Sequence, residues 1–173
     1  TPDGRITPQC LGLWDERTEQ ALGDTLQRAR KLAPPMPVCI QLAHAGRKGS
    51  SAAPWLGGQL LAPAQGGWLP LAPSALPQLP DEPPPAALSA AQLVEVREAF
   101  VAAAQRAQRI GIDAIELHAA HGYLLHQFLS PLANQRTDNY GGSLENRMRF
   151  PLEVFTAVRA VFDAPTVAEL ALR

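Results

Sequence analysis

The sequence predicts an α/β protein, an incomplete (β/α)8 TIM barrel with about two clear strands, three helices and a proline-rich excursion. Three observations predict it. Helical and strand periods alternate in the order helix, strand, helix, strand, helix, the pattern of parallel strands joined by helical crossovers. Each strand has one aliphatic face and one polar face, with Gln41 on the first strand and Glu116 and His118 on the second. A barrel can turn such groups inward, toward a site at the C-terminal ends of its strands, whereas an open doubly wound sheet is more often aliphatic on both faces. The chain has 173 residues, fewer than the roughly 200 or more that a closed barrel needs.

The first helix is expected from an N-cap at Asp15 to about Ala33. Ala21, Leu22, Thr25, Leu26, Ala29 and Leu32 share one face at helical spacing, and Pro34-Pro35 ends it. Before it, Thr1–Leu13 reads as loop. Val38–Ala43 reads as a strand, Val38, Ile40 and Leu42 on one side and Cys39, Gln41 and Ala43 on the other. Proline and glycine crowd residues 53–88, so that stretch is expected to be a long surface excursion. Ser89 and Gln92 have capping-box spacing ahead of the stripe Leu93, Val96, Phe100, Ala103, Ala107 and Ile110, with Gly111 as the stop. Ile112–His118 is the second strand. A last helix is expected over Leu144–Phe162, capped by Ser143, with Val154, Val158 and Val161 inward and Pro151 marking a kink or a restart. All 173 residues are read as one partial barrel domain.

Composition excludes several classes. Fifteen basic against sixteen acidic side chains leave a net charge of −1, which offers no strong pull toward nucleic acid or an anionic membrane. The longest apolar run, Ala99–Ala104, is far below the roughly 18 residues of a membrane span. Cys10 and Cys39 form no metal-binding or disulfide pattern, so a reduced cytoplasmic setting is expected. The chain begins at Thr1, which suggests a processed, cropped or partial sequence.

The chemistry-bearing residues gather at the two strand ends. His118, His121 and Tyr123 follow the second strand, and both imidazoles converge only if the chain turns at Ala119-Ala120, where the residues are small. Converging imidazole N–H groups would stabilise negative charge on a carbonyl oxygen, and a nearby phenol could deliver a proton. The same residues could be polar loop groups satisfying the backbone. His118, His121 and His126 could also be metal ligands, although the carboxylate of an H-E-x-x-H motif is missing. Gln41 offers a donor pair and an acceptor that match a pyrimidine or flavin edge; the alternative is a bond to a neighbouring side chain. Glu116 needs a partner if it faces inward, an ion pair being expected. Arg136, Asp138, Asn139 and Tyr140 read as a capped, solvated turn. Glycine-rich phosphate loops and a G-x-S-x-G elbow are lacking.

Two segments carry a more specific signal: Ile40-Gln41-Leu42-Ala43-His44-Ala45-Gly46-Arg47-Lys48, and Glu116–Leu125 continuing through Phe128-Leu129-Ser130-Pro131 to Tyr140–Arg147. Together they resemble the Old Yellow Enzyme family of FMN-dependent NAD(P)H oxidoreductases, in its bacterial branch with two histidines. Classical members carry His-x-x-Asn instead. The resemblance runs from about Asp3 to Phe162. It implies a (β/α)8 barrel with FMN at the C-terminal mouth and Gln41 on the flavin pyrimidine edge. His118 and His121 would hold the substrate's carbonyl or nitro oxygen, Ala119 and Ala120 would line the same pocket, and Tyr123 would donate the proton. The implied cycle is ping-pong: NADPH or NADH reduces FMN, and the reduced flavin passes hydride to the β-carbon of an activated alkene.

The chain departs from the family pattern at both ends. A first strand with a flavin-contacting segment would lie before Thr1, and the late loops that grip the FMN phosphate are missing. Thr166–Arg173 fits poorly to the family's arginine-bearing strand, so Arg173 receives no flavin role. Unpaired edges of a partial barrel invite self-association or homo-oligomer formation. The alternatives to an ene-reductase are a catalytically silent barrel fragment acting as an interaction module and a histidine-ligated metal hydrolase. The expected partner is a small-molecule substrate.

Overall fold

The structure, a computed structural model, describes residues 1–163. The Thr166–Arg173 segment lies outside the described residues. In chain order the elements are α1 (Glu16–Leu32), β1 (Cys39–Leu42), β2 (Leu71–Ala72), β3 (Ala86–Ala87), α2 (Ala90–Arg109), β4 (Ala114–Leu117), α3 (Leu124–Leu129) and α4 (Leu144–Asp163). β1 and β4 pair in parallel, with Gln41 opposite Glu116 and Leu42 opposite Leu117. The ladder is extended at one end by Asp113 N–H donating to Val38 O and at the other by His118 N–H donating to Leu42 O.

The helix ends form as their cap residues dictate. Asp15 accepts from Thr18 N–H at 2.7 Å, while the Thr18 hydroxyl accepts from Asp15 N–H. Ser89 and Gln92 close the same reciprocal box on α2. α4 runs unbroken through Pro151. The proline cannot donate to the carbonyl of Arg147, but Phe150 and Val154 on either side are both fully buried and hold the helix down.

One core lies between α2, α3 and α4 on the aliphatic side of the β1–β4 pair. It contains Leu42, Leu88, Leu93, Val96, Phe100, Leu124, Leu125, Phe128, Phe150, Val154 and Val158, with Val161 partly buried against it. The Phe128 and Phe150 rings pack at a tilt of 45° with centroids 4.6 Å apart. A smaller cluster of Leu13, Ala107 and Ile112 receives Leu22 and Leu26 from α1. The rest of the stripe expected on α1 stays open, with Leu32 90% exposed. A barrel helix packs on the outside of the strands, and among the described residues β1 and β4 are the barrel strands it can cover. Glu19 fastens α1 to α2 through a two-pronged bond with Arg109, which holds the Glu19 carboxyl below its usual range.

Three expectations change. The 53–88 excursion is not purely superficial: β2 and β3 pair in parallel within it, and Ala72 and Leu88 are each 1% exposed. Glu116 makes no ion pair among the described residues; it accepts a hydrogen bond from the Gln41 amide. The Arg136 turn is an anchor, because its Nη1 donates to Pro73 O and Leu88 O while Nη2 reaches Asp138 at 2.6 Å. That guanidinium ties the end of the excursion to the loop before α4.

Candidate active site

The C-terminal ends of β1 and β4 each run into a tight loop, and the two loops are bonded to one another. After β1, Ala45 and Gly46 lead into a 3-10 turn over Gly46–Lys48. After β4, Ala119 and Ala120 are exposed and lead to His121 and Gly122, whose φ angles of +54° and +73° are both left-handed. Glycine adopts that region at little cost, and histidine is among the few other residues found there. α3 starts immediately afterwards, with Leu124, Leu125 and Phe128 essentially inaccessible. The apolar anchor at Leu124 therefore fixes Tyr123, the residue before it.

This reversal brings three rings together. His118 lies 5.0 Å from His121 and 5.0 Å from Tyr123, centroid to centroid, with interplanar angles of 59° and 64°. His118 is buried while His121 is exposed, so the cluster opens to solvent through His121. Neither imidazole nor the Tyr123 hydroxyl has a hydrogen-bond partner among the described residues. Burial, and secondarily the Cys10 thiol, raise the Tyr123 phenol above its ordinary value, so it keeps its proton at neutral pH. The cluster thus presents uncommitted N–H and O–H groups from three side chains in one place.

Gln41 stands on the exposed face of β1, opposite Glu116 on β4. Its Nε2 donates to Glu116 Oε1 at 2.8 Å. Because the carboxylate accepts, the amide is oriented by this bond, and among the described residues its carbonyl oxygen takes no hydrogen bond. Of the two roles weighed for Gln41, the bond to a neighbouring side chain is the one present. The metal reading finds no support, since among the described residues no three His, Cys, Asp or Glu side chains are grouped to hold an ion. His126 Nδ1 instead accepts from Gly122 N–H at 2.8 Å.

Three contributors had no role in the sequence reading. Gln127, 1% exposed, bridges the two loops: Nε2 donates to Ala45 O and Gly122 O, and Oε1 accepts from Arg47 N–H. His44 is buried beneath the first loop, its Nδ1 accepting from Gly46 N–H and its backbone carbonyl from Leu124 N–H. Burial lowers the His44 imidazole to about 4, so it is neutral, and among the described residues its Nε2 has no partner. Lys48 lies across the second loop, with Nζ 2.8 Å from His121 O. The side-chain bonds that run from one loop to the other join residues 73 to 82 positions apart, so nothing local encodes them.

The model of the NADH:flavin oxidoreductase / NADH oxidase family matches residues 1–169. An NADH:flavin oxidoreductase of Gibberella zeae is 48% identical over 167 residues, covering 94% of this chain and 40% of its own length. An NADPH dehydrogenase of Bacillus subtilis is 42% identical over 164 residues, covering 95% and 44% respectively. Among solved structures, morphinone reductase superposes with a TM-score of 0.76 at 35% identity, over 95% of this chain and 45% of that one. Its complex with tetrahydroNAD matches with a TM-score of 0.75 at 34% identity, over 94% and 46%. The chain thus spans less than half the length of these relatives, and its fold is part of a (β/α)8 barrel. With the family model running through both ring-bearing loops, the chain belongs to the NADH:flavin oxidoreductase / NADH oxidase family, the Old Yellow Enzyme family of FMN-dependent oxidoreductases.

Proposed function

We propose that this chain forms the substrate-facing and flavin-edge part of an NAD(P)H oxidoreductase that reduces activated alkenes, such as α,β-unsaturated carbonyl compounds. One observation carries the reading: His118, His121 and Tyr123 meet at 5.0 Å spacings with their polar atoms uncommitted. Two imidazole N–H groups at the mouth of a parallel strand pair suit a substrate oxygen on which negative charge develops. Donors set in place before that charge appears stabilise it most. Ala119 and Ala120 leave room beside them, and the Tyr123 phenol, still protonated, is the proton source for the α-carbon.

FMN fits the residues present, because the Gln41 carbonyl, oriented by Glu116, matches an imide N–H of a flavin pyrimidine edge. When bound, FMN supplies the hydride and takes it in turn from NADPH or NADH. His118 and His121 orient and polarise the substrate, and Gln41 seats the cofactor edge. A cytoplasmic setting goes with Cys10 and Cys39, both free thiols. Among the described residues, no helix is long and apolar enough to cross a membrane.

The test is flavin binding and turnover by the purified protein. The expected result is a yellow protein whose His118→Ala/His121→Ala variant loses alkene reduction by about a hundredfold or more while its FMN affinity barely changes. Equal loss of both would refute the assignment. A second reading, a silent module that associates through its edges, is favoured by the open α4 face with Leu152, Phe155 and Phe162 exposed. It predicts a colourless protein that binds no FMN and self-associates with rising concentration.

A further inference from the structure

We propose that Lys48 makes this site select alkenes that carry an anionic oxygen group, a carboxylate above all, beside the activating carbonyl. The inference rests on the alkene-reductase reading and deepens it. Lys48 ends the 3-10 turn that follows β1, yet its ammonium crosses to the β4 loop. There Nζ donates to His121 O at 2.8 Å and stands 5.8 Å from the Tyr123 ring centroid. Gly122 makes this crossing possible. A Cβ on residue 122 would lie 3.2 Å from Lys48 Cε and 3.3 Å from Nζ, besides being strained at a φ of +73°.

An ammonium has three donors, and the His121 carbonyl takes one. Among the described residues Lys48 has no carboxylate partner; the ion pairs there all use arginines. Glu116, the acidic residue on the polar strand face, is engaged by Gln41. Arg47, the neighbouring cation, sends its guanidinium to Leu76 O and Pro77 O instead. The ring cluster is thus flanked by one positive charge with two free donors and no counter-ion. An anionic substituent on the substrate supplies that counter-ion while its carbonyl oxygen meets the imidazoles. A phosphate of the nicotinamide reductant has the same chemistry and is the competing source of the anion.

The experiment compares an enone bearing a carboxylate with its methyl ester, using the full-length FMN-loaded protein, wild type, Lys48→Met and Lys48→Arg. The acid-to-ester ratio of kcat/KM is expected to fall by about tenfold or more in Lys48→Met and to be largely retained in Lys48→Arg. A second measurement needs no turnover: the His118 and His121 ring proton resonances are followed while a saturated keto acid is titrated in. Its affinity should weaken by a similar factor in Lys48→Met. Equal losses for acid and ester overturn the proposal, since the lysine would then only hold the His121 turn. A change confined to the KM for NADPH also overturns it, because the phosphate would be the anion. Should the protein reduce no alkene while the keto acid still binds through Lys48, the anion site stands and the alkene-reductase reading falls.

Discussion

Replacing Gln127 by leucine removes the bridge between the two active-site loops with little change in side-chain volume. In the structure, Gln127 is 1% exposed and makes bonds of 3.2 Å to Ala45 O, 2.6 Å to Gly122 O and 3.2 Å from Arg47 N–H. Leucine satisfies none of these. An unpaired buried polar group costs roughly 1–3 kcal/mol, and at the lower end three such groups amount to about 3 kcal/mol. The extra apolar burial offsets part of that, and some water entry relaxes it further. A loss of about 2–3 kcal/mol is therefore expected, a large fraction of the roughly 5–15 kcal/mol that holds a typical domain together. Urea unfolding at constant m-value reads the change directly. Hydrogen exchange at the Arg47 amide should accelerate in step, because that N–H loses its acceptor. A loss below about 0.5 kcal/mol, with Arg47 exchange unchanged, would show that the loops are held by other contacts and that the bridge is incidental.

Stability should also fall in acid through His44. The unfolded imidazole titrates near 6.5 and the folded one at about 4, so between these values the unfolded chain binds more protons. The contribution is complete above pH 6.5 and declines as pH drops toward 4, by about 3 kcal/mol in all; His44→Phe should flatten that slope in unfolding experiments at pH 4.5 and 7. Ser89→Ala should cost about 1 kcal/mol by opening the capping box of α2, measurable as a lower urea midpoint. Phe150→Ala should cost about 3–5 kcal/mol because the ring fills the centre of the core against Phe128, and a loss under 1 kcal/mol would contradict that packing. Tyr123→Phe should slow alkene reduction while leaving flavin reduction by NADPH nearly intact. Stopped-flow traces with a slowed flavin phase would contradict the proton-donor role.

Much of the scaffold was legible because its signals are local. The capping residues Asp15 and Ser89 act on amides three positions away, and the stripes of α2 and α4 repeat at the helical period, so neighbouring residues alone announce them. α3 was not legible: six residues hold too few turns for a period, and Tyr123 caps the helix without a side-chain bond. The β2–β3 pair was hidden for a similar reason, since two-residue strands carry no alternation and exist only through each other. On α1 the apolar stripe was real but overstated the burial, because a helix buries only what neighbouring strands cover.

The sequence by itself determined the three long helices, the two strands that pair as β1 and β4, and that Gln41 and Glu116 lie on polar strand faces. These follow from side-chain periodicity and caps, both short-range properties. The turn expected at Ala119-Ala120 falls instead on His121 and Gly122, both left-handed. Only the tertiary structure decided that the Gln41 amide is oriented by Glu116, that His44 is buried and neutral, and that Gln127 and Lys48 cross from one loop to the other. Such bonds join residues 73 to 82 positions apart. They exist because parallel pairing of β1 and β4 carries both loops to the same end of the sheet, a consequence of strand register that no local pattern expresses.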